Sequence, residues 1–462
     1  MPAAEPAFDD LLDRVEEAHG GTSLQALNTL SATWQFTDAL IYESKKPGPP
    51  WDIGSVVRRY AIDFVGDEYA HNSVEDASGY YRHGGRLLNS QHNAIVDHRT
   101  HTYRYTDEPL SSAAAELFRY SPVALLRWGL DNPGDLKPVG YREDDEGKFF
   151  VFKVAVEEGT YSVLVDAETY RVAGVDHSLT DYDGTPIPIR IRFSDYESFD
   201  GVLQPTRLET EIWGNAGRHG ELKSFEPNAD ITVVLGIPDG YVETAGEQPG
   251  IRDFRVEELA EGVYFVGEGV MYQLFVEFDD FIVALDGCSG NVNQRIATIQ
   301  QVVPDKPIRY VLASHHHNDH MHGLDEFAKL GAEILAVEEH IPEIRRRLGN
   351  TEAEIVTVDG RFEIESGGRV LEIVDIGPLP HSDHMLAGYL PDEKILFEAD
   401  LFVLGGRREP VRPASSNGRA LWETINGRGW EVDLIVDPHS PLIATIQDLE
   451  AAVNTPDLSR AE

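Results

Sequence analysis

The sequence predicts a two-part chain, an α+β domain built on an antiparallel meander followed by a layered α/β domain. Three observations carry that reading. Turn signals recur about every ten residues across 139–213, the spacing of short strands joined by hairpins. The stretch Gly246-Glu247-Gln248-Pro249-Gly250 then interrupts the pattern, and strands alternate with helices after it. Finally, the apolar run Tyr310-Val311-Leu312-Ala313 ends in Ser314-His315-His316-His317-Asn318-Asp319-His320. A chain of 462 residues is too long for one ordinary core, and the linker divides it into 1–248 and 249–462.

In order along the chain, residues 7–19 carry Leu11, Leu12, Val15 and Ala18 among acids, an amphipathic helix that Gly20-Gly21 ends. A second helix starts at Ser23. Residues 33–104 hold alternating stretches such as Val56-Val57-Arg58-Arg59-Tyr60-Ala61-Ile62, which read as strands. A helical segment over 111–130 is interrupted by Pro122. Turns at 144–147, 157–160, 166–169, Asp183-Gly184 and Asp200-Gly201 punctuate the meander. After the linker come strands at 262–266, 272–276 and 281–285, a helix over 294–302 and the strand 310–313; strands alternating with helices are expected from there to the end.

Composition narrows the function. Asp plus Glu total 80 against 39 Lys plus Arg, a formal charge of −41 that repels phosphate backbones and anionic lipid surfaces. Nucleic acid is therefore not the expected partner, and a small-molecule substrate is. No apolar run reaches the roughly 18 residues that a membrane span needs, and the first ten residues lack the basic-then-apolar pattern of a signal peptide. The chain as given is expected to be soluble and cytoplasmic, or periplasmic if a leader had been removed. The single cysteine, Cys288, excludes an internal disulfide framework.

The histidine run is read as a metal site. Side chains two apart on an extended segment point the same way, so His315 and His317 grip one ion from one side. Asp319 and His320 follow where the chain turns into a helix and are placed to hold a second ion, while His316 and Asn318 point away. A rival cluster in the first half, His83, His92, His98 and His101, has no clear third or fourth donor. Downstream, His381, Asp400 and His439 each stand at a strand end or in the loop after one, and strand ends along one sheet edge converge in space.

The His-x-His-x-Asp-His signature together with those three later donors resembles the metallo-β-lactamase fold superfamily over 251–462. The phrase His381-Ser382-Asp383-His384-Met385-Leu386, leading on to Phe397-Glu398-Ala399-Asp400, is similar to a bacterial subgroup of uncharacterised metallohydrolases. The resemblance implies a four-layer αββα fold. It also implies one zinc held by His315, His317 and His381, a second held by Asp319, His320 and His439, and Asp400 bridging them. Residues 196–205 and the meander resemble the curved half-barrel sheet of bacterial lipoprotein carriers, which implies a concave apolar surface.

Three imidazoles leave a zinc ion positive and open, lowering the pKa of a bound water from 15.7 to about 7. The expected chemistry is hydrolysis by a metal-bridging hydroxide, oriented by Asp319 as a catalytic residue. Zn²⁺ ranks first, two per chain, with Fe and Mn as alternatives. His384 stands where similar sequences often carry glycine and is expected as a catalytic residue, a proton donor or oxyanion contact, with a supporting or surface position as the alternative. Cys288 is expected to pack, with Asp286 and Ser314 supporting the ligands. The charge opposes nuclease action and no basic patch suits an anionic thioester, which leaves a neutral or partly apolar ester, lactone or amide. The competing reading is a lipid- or ligand-binding carrier whose second half is a metal-stabilised scaffold without catalysis.

Overall fold

The computed structural model describes residues 6–41, 43–89, 91–106, 114–156, 159–180, 186–244, 248–249, 253–404, 406–407 and 410–460. Residues 246, 247 and 250 of the expected linker, the turn at Asp183-Gly184, Glu157 and the expected helix start at Ser111 lie outside them.

Among the described residues of the first half, 14 strands form one sheet. Consecutive strands pair as antiparallel hairpins on both sides of a seam where Thr29–Ala39 meets Asn215–Pro227. Alternation explains which face is covered. Along Thr29–Ala39, Ala32, Trp34 and Phe36 turn inward while Gln35 and Thr37 face out. They pack with Tyr60, Phe152 and Ile191 against Leu11 and Val15 of helix Phe8–Ala18 and against Phe118 and Val123 of two later helices. The expected break at Pro122 falls between Ala115–Tyr120 and Pro122–Asp131, where Ser121 Oγ accepts a hydrogen bond from Ala124 N at 3.2 Å. Proline at the first helical position and serine at the cap favour a fresh start.

The second half has four layers, two sheets face to face with helices outside. Alternate residues of each strand divide between two cores. From the seven-stranded sheet, Phe265, Leu274, Leu285, Leu312 and Leu335 turn inward and meet Leu371, Ile373, Leu386 and Phe397 of the six-stranded sheet. Their sequence neighbours Val266, Phe275, Ala284, Val311 and Ile334 turn outward to Ile296, Ile299, Phe327 and Ile344. On the opposite outer face, Ala387 and Leu396 pack on Leu421, Ile425 and Leu449 of helices Ser416–Arg428 and Ile446–Asn454.

The expected strand–helix alternation does not run to the end. Ile355–Thr357, Arg361–Ser366, Arg369–Asp375, Leu386–Leu390 and Ile395–Phe397 follow one another with no helix among their described residues. Gly367 and Gly368, both at positive φ, close a tight hairpin between the second and third of these strands. An antiparallel pair joined by two residues leaves no room for a crossover helix.

Candidate metal centre

Strand Ile308–Leu312 is buried except at Arg309 and delivers Ser314 and His315 at its end. His317 keeps extended backbone at φ −63°, ψ 153° and starts the short helix Asn318–Met321, which carries Asp319 and His320. From the facing sheet, Asp400 follows Ile395–Phe397 and His439 follows Leu434–Val436. Asp400 adopts φ +63° and Asp286 φ +79°, left-handed conformations that cost a non-glycine residue energy and that aspartate tolerates better than most.

These strand ends bring two sets of donors together. His315, His317, His381 and Asp400 form one set and Asp319, His320 and His439 the other, with the ligand atoms of each set within 4.8 Å of one another. In the first, His315 Nε2 lies 3.3 Å from His381 Nε2 and 3.4 Å from Asp400 Oδ2. In the second, His439 Nε2 lies 3.2 Å from both His320 Nε2 and Asp319 Oδ2. Asp400 reaches both sets, with Oδ2 3.0 Å from His320 Nε2 and Oδ1 3.2 Å from His439 Nε2. Two donors on one tetrahedral ion with bonds of about 2.1 Å stand about 3.4 Å apart. The spacings match the edges of such a polyhedron.

The outward nitrogens are already engaged, which fixes the tautomers. His320 Nδ1 donates to Asp286 Oδ2 at 2.6 Å and His439 Nδ1 to Val270 O at 3.0 Å. Ser314 Oγ donates to Asp286 Oδ1 at 3.0 Å, so it accepts from His315 Nδ1 at 3.2 Å. The first half of the chain supplies the other two acceptors: Ser44 O takes His317 Nε2–H at 3.0 Å and Ser78 O takes His381 Nδ1–H at 3.2 Å. Every inward nitrogen is thereby left as a lone pair, and His317 Nδ1 is buried without a hydrogen-bond partner. Lone pairs 3.2–3.3 Å apart repel unless a proton or a cation lies between them. The residues present therefore fit a pair of divalent cations.

Electrostatics agree. Burial alone would keep His320 neutral, yet the carboxylates of Asp286, Asp400 and Asp319 hold its pKa well above the usual value. Burial likewise opposes charge on His439, and Asp400 and Asp319 push it up to about 10. Burial works the other way on Asp400, but the His320 and His439 imidazoles keep its carboxyl well below the usual range. Burial and repulsion from Asp400 push Asp437 up to about 7. Protons here occupy positions that a cation would take.

Sequence reasoning named Asp286 and Ser314 as supports; Asp286 touches His320 and Ser314 touches His315. Cys288 packs, its thiol against Tyr272 O at 3.1 Å, with burial pushing its pKa up to about 12. His384 stands apart from both sets: Nδ1 donates to Asp375 Oδ2 at 2.7 Å, Nε2 lies 3.7 Å from Glu339, and the side chain is 35% exposed. His98 and His101 gather around Tyr241, away from both sets.

Several contributors escaped that reasoning. Asp437 accepts from Asp400 N and His439 N, both at 2.7 Å, and so holds the backbone of two donors. Its place two residues before His439 at a buried strand end was a usable signal. Tyr80 donates to Asp400 O, and Gly79 seats against Asn417 and Pro380, where an added Cβ would stand 1.9 Å from Asn417 Oδ1. Glu43 Oε2 lies 3.4 Å from His317 Nδ1. These three come from the other half of the chain, and no local pattern announces them.

The layers place two sets of metal-ligating side chains together at the ends of two facing sheets. Residues 287–454 match the family model of the metallo-beta-lactamase superfamily, and that part of the chain is a domain of this superfamily. Among curated proteins, the chain is similar to the 2,4-dinitroanisole O-demethylase subunit alpha of Nocardioides sp. (strain JS1661), 28% identical over 173 residues. The match covers 36% of this chain and 52% of that protein, so the chain spans about half the length of this relative. Among solved structures, the metallo-beta-lactamase FIM-1 of Pseudomonas aeruginosa is 20% identical with a TM-score of 0.36, over 46% of this chain and 98% of that one. The flavodiiron protein of Giardia intestinalis is 20% identical with a TM-score of 0.37, over 45% and 60%. No helix among the described residues is long and apolar enough to cross a membrane.

Proposed function

We propose that the chain is a dinuclear zinc-dependent hydrolase of a neutral or partly apolar ester, lactone or amide, with 1–248 and 249–462 as its two units. The observation behind this reading is the meeting of inward imidazole lone pairs, His315 with His381 and His320 with His439, between rings whose outer nitrogens already donate. His315, His317 and His381 would hold one ion, Asp319, His320 and His439 the other, and Asp400 both. Mixed nitrogen and oxygen donation suits Zn²⁺ first and Fe or Mn next. Such a pair supplies an acidic water and a Lewis acid for the scissile carbonyl.

The chain's own groups do the rest. Asp319 and His439, at 14% and 15% exposure, stand towards solvent, whereas His315, His317 and His320 are fully buried. Substrate therefore enters on the Asp319 side, where the carboxylate would accept a hydrogen bond from the attacking water and orient it. His384, whose pKa is raised chiefly by its hydrogen bond to Asp375, is the proposed donor to the leaving group. The Nocardioides relative is named for O-demethylation of an anisole, so an aryl methyl ether belongs beside the other candidate substrates.

The test is turnover of ester, lactone, amide, β-lactam, phosphodiester and aryl ether substrates with and without chelator, alongside metal analysis. We expect two metals per chain and chelator-sensitive turnover on one of the first three. Binding of an apolar probe without turnover of any substrate would instead support a carrier.

A further inference from the structure

Two turns of the first half reach over the centre. One follows strand Thr29–Ala39 and carries Glu43 and Ser44; the other, Ser78-Gly79, joins Glu68–Ala77 to Tyr80–Leu88. Their carbonyls, Ser44 O and Ser78 O, take protons from His317 and His381. Each tautomer is thereby set by a backbone group outside the superfamily domain.

Glu43 adds a side chain to this arrangement. Its Oε2 faces His317 Nδ1 at 3.4 Å, and Nδ1 is the lone-pair nitrogen, because Nε2 carries the proton donated to Ser44 O. A carboxylate oxygen is also an acceptor, so the two atoms repel unless something positive lies between them. The spacing is that of two ligands on one tetrahedral ion with bonds of about 2.1 Å. The same 3.4 Å separates His315 Nε2 from Asp400 Oδ2 within the four-donor set. Glu43 stands outside that set, and its side chain, 50% exposed, has the freedom to turn in.

We propose that Glu43 is a metal ligand supplied by the first half of the chain, joining His315, His317, His381 and Asp400 on one ion. The inference rests on the metal-centre reading above. It makes the centre a structure shared by both halves, and a fifth donor moves this position away from the closed tetrahedron that zinc favours towards the geometries that Fe, Mn and Co accept. Loading of that position then depends on docking of the first half.

The experiment uses the full chain and Co²⁺ alone as probe. Wild type, Glu43→Gln, Glu43→Ala and a control, Glu197→Ala at an exposed position of the first sheet, are titrated with Co²⁺ and followed by visible absorption and chelator competition. Wild type and control should take up two ions with the same spectrum. Both Glu43 variants should bind one of the two at least about tenfold more weakly, and their visible band should gain intensity as coordination falls from five to four. Thermal melts of the metal-free proteins check folding, and the isosteric glutamine variant decides if the alanine variant fails to fold. Wild-type affinity in the Glu43 variants, or weaker binding with an unaltered spectrum, overturns the ligand assignment and leaves the metal centre standing. No Co²⁺ uptake by wild type overturns the metal centre itself, and this inference with it.

Discussion

Two groups of histidines lie in this chain, one in each half, and they differ in what the second ring nitrogen does. Around Tyr241, the His98 ring lies 4.5 Å from His83, its Nδ1 meets the tyrosine hydroxyl at 2.6 Å, and His101 stacks on the same tyrosine at 4.8 Å. These contacts are ring faces and one hydroxyl, which suit neutral imidazoles, and burial with the neighbouring His83 lowers His98 to about 4. At strand ends in the other half, each ring gives one nitrogen to a carbonyl, a hydroxyl or a carboxylate and turns the other inward to face further donors. Proximity of imidazoles is common to both groups; convergence of lone pairs with carboxylates belongs to one.

The sharpest way to break that contrast is to remove Asp400, the donor that reaches both sets. Asp400→Ala should abolish stoichiometric metal binding and lower turnover more than about a thousandfold, while His98→Ala leaves both unchanged. Equal losses in the two variants, read by metal analysis and kcat/KM, would erase the distinction.

His384 sits between the two classes, with Nδ1 committed to Asp375 and Nε2 3.7 Å from Glu339 on a half-buried side chain. His384→Gln should keep the metal content and lower kcat about a hundredfold. Unchanged kinetics would return it to the structural class.

Acidity separates the groups next. His439 is raised from 6.5 to about 10, so at neutral pH a proton must leave before an ion binds. Metal affinity should therefore fall about tenfold per pH unit below 10 for each proton displaced, measured by titration calorimetry from pH 6 to 9. In the metal-free chain the sign is reversed. The stabilisation due to protonated His439 is complete below its unfolded value of 6.5 and is lost as pH rises through about 10, so its melting temperature should drop over that window.

The smallest effect lies in the first half. Tyr241→Phe removes one hydrogen bond to His98 and should cost about 1 kcal/mol in denaturant unfolding, with no change in metal binding.

Legibility in the sequence followed chain distance. The run 314–320 is local, and a buried strand ahead of it made its direction readable; His381, Asp400 and His439 were readable because buried strands announce their ends. The strand-only stretch 355–397 was missed because short apolar runs carry no sign of whether a helix follows, and the Gly367-Gly368 turn was the overlooked cue. Ser44 O, Ser78 O and Tyr80 were invisible for a different reason. They act across some 270–320 positions, two of them as main-chain carbonyls, and no residue pattern encodes which carbonyl will face an imidazole.

The grip of Asp437 on the amides of Asp400 and His439 ties two strand ends into one mechanical piece. Displacement of either loop pulls on the other, so the departure of an ion from one donor set would reach the second set through the backbone as well as through Asp400. A pair of ions held there would load and leave together, coupled by a side chain that need never touch either.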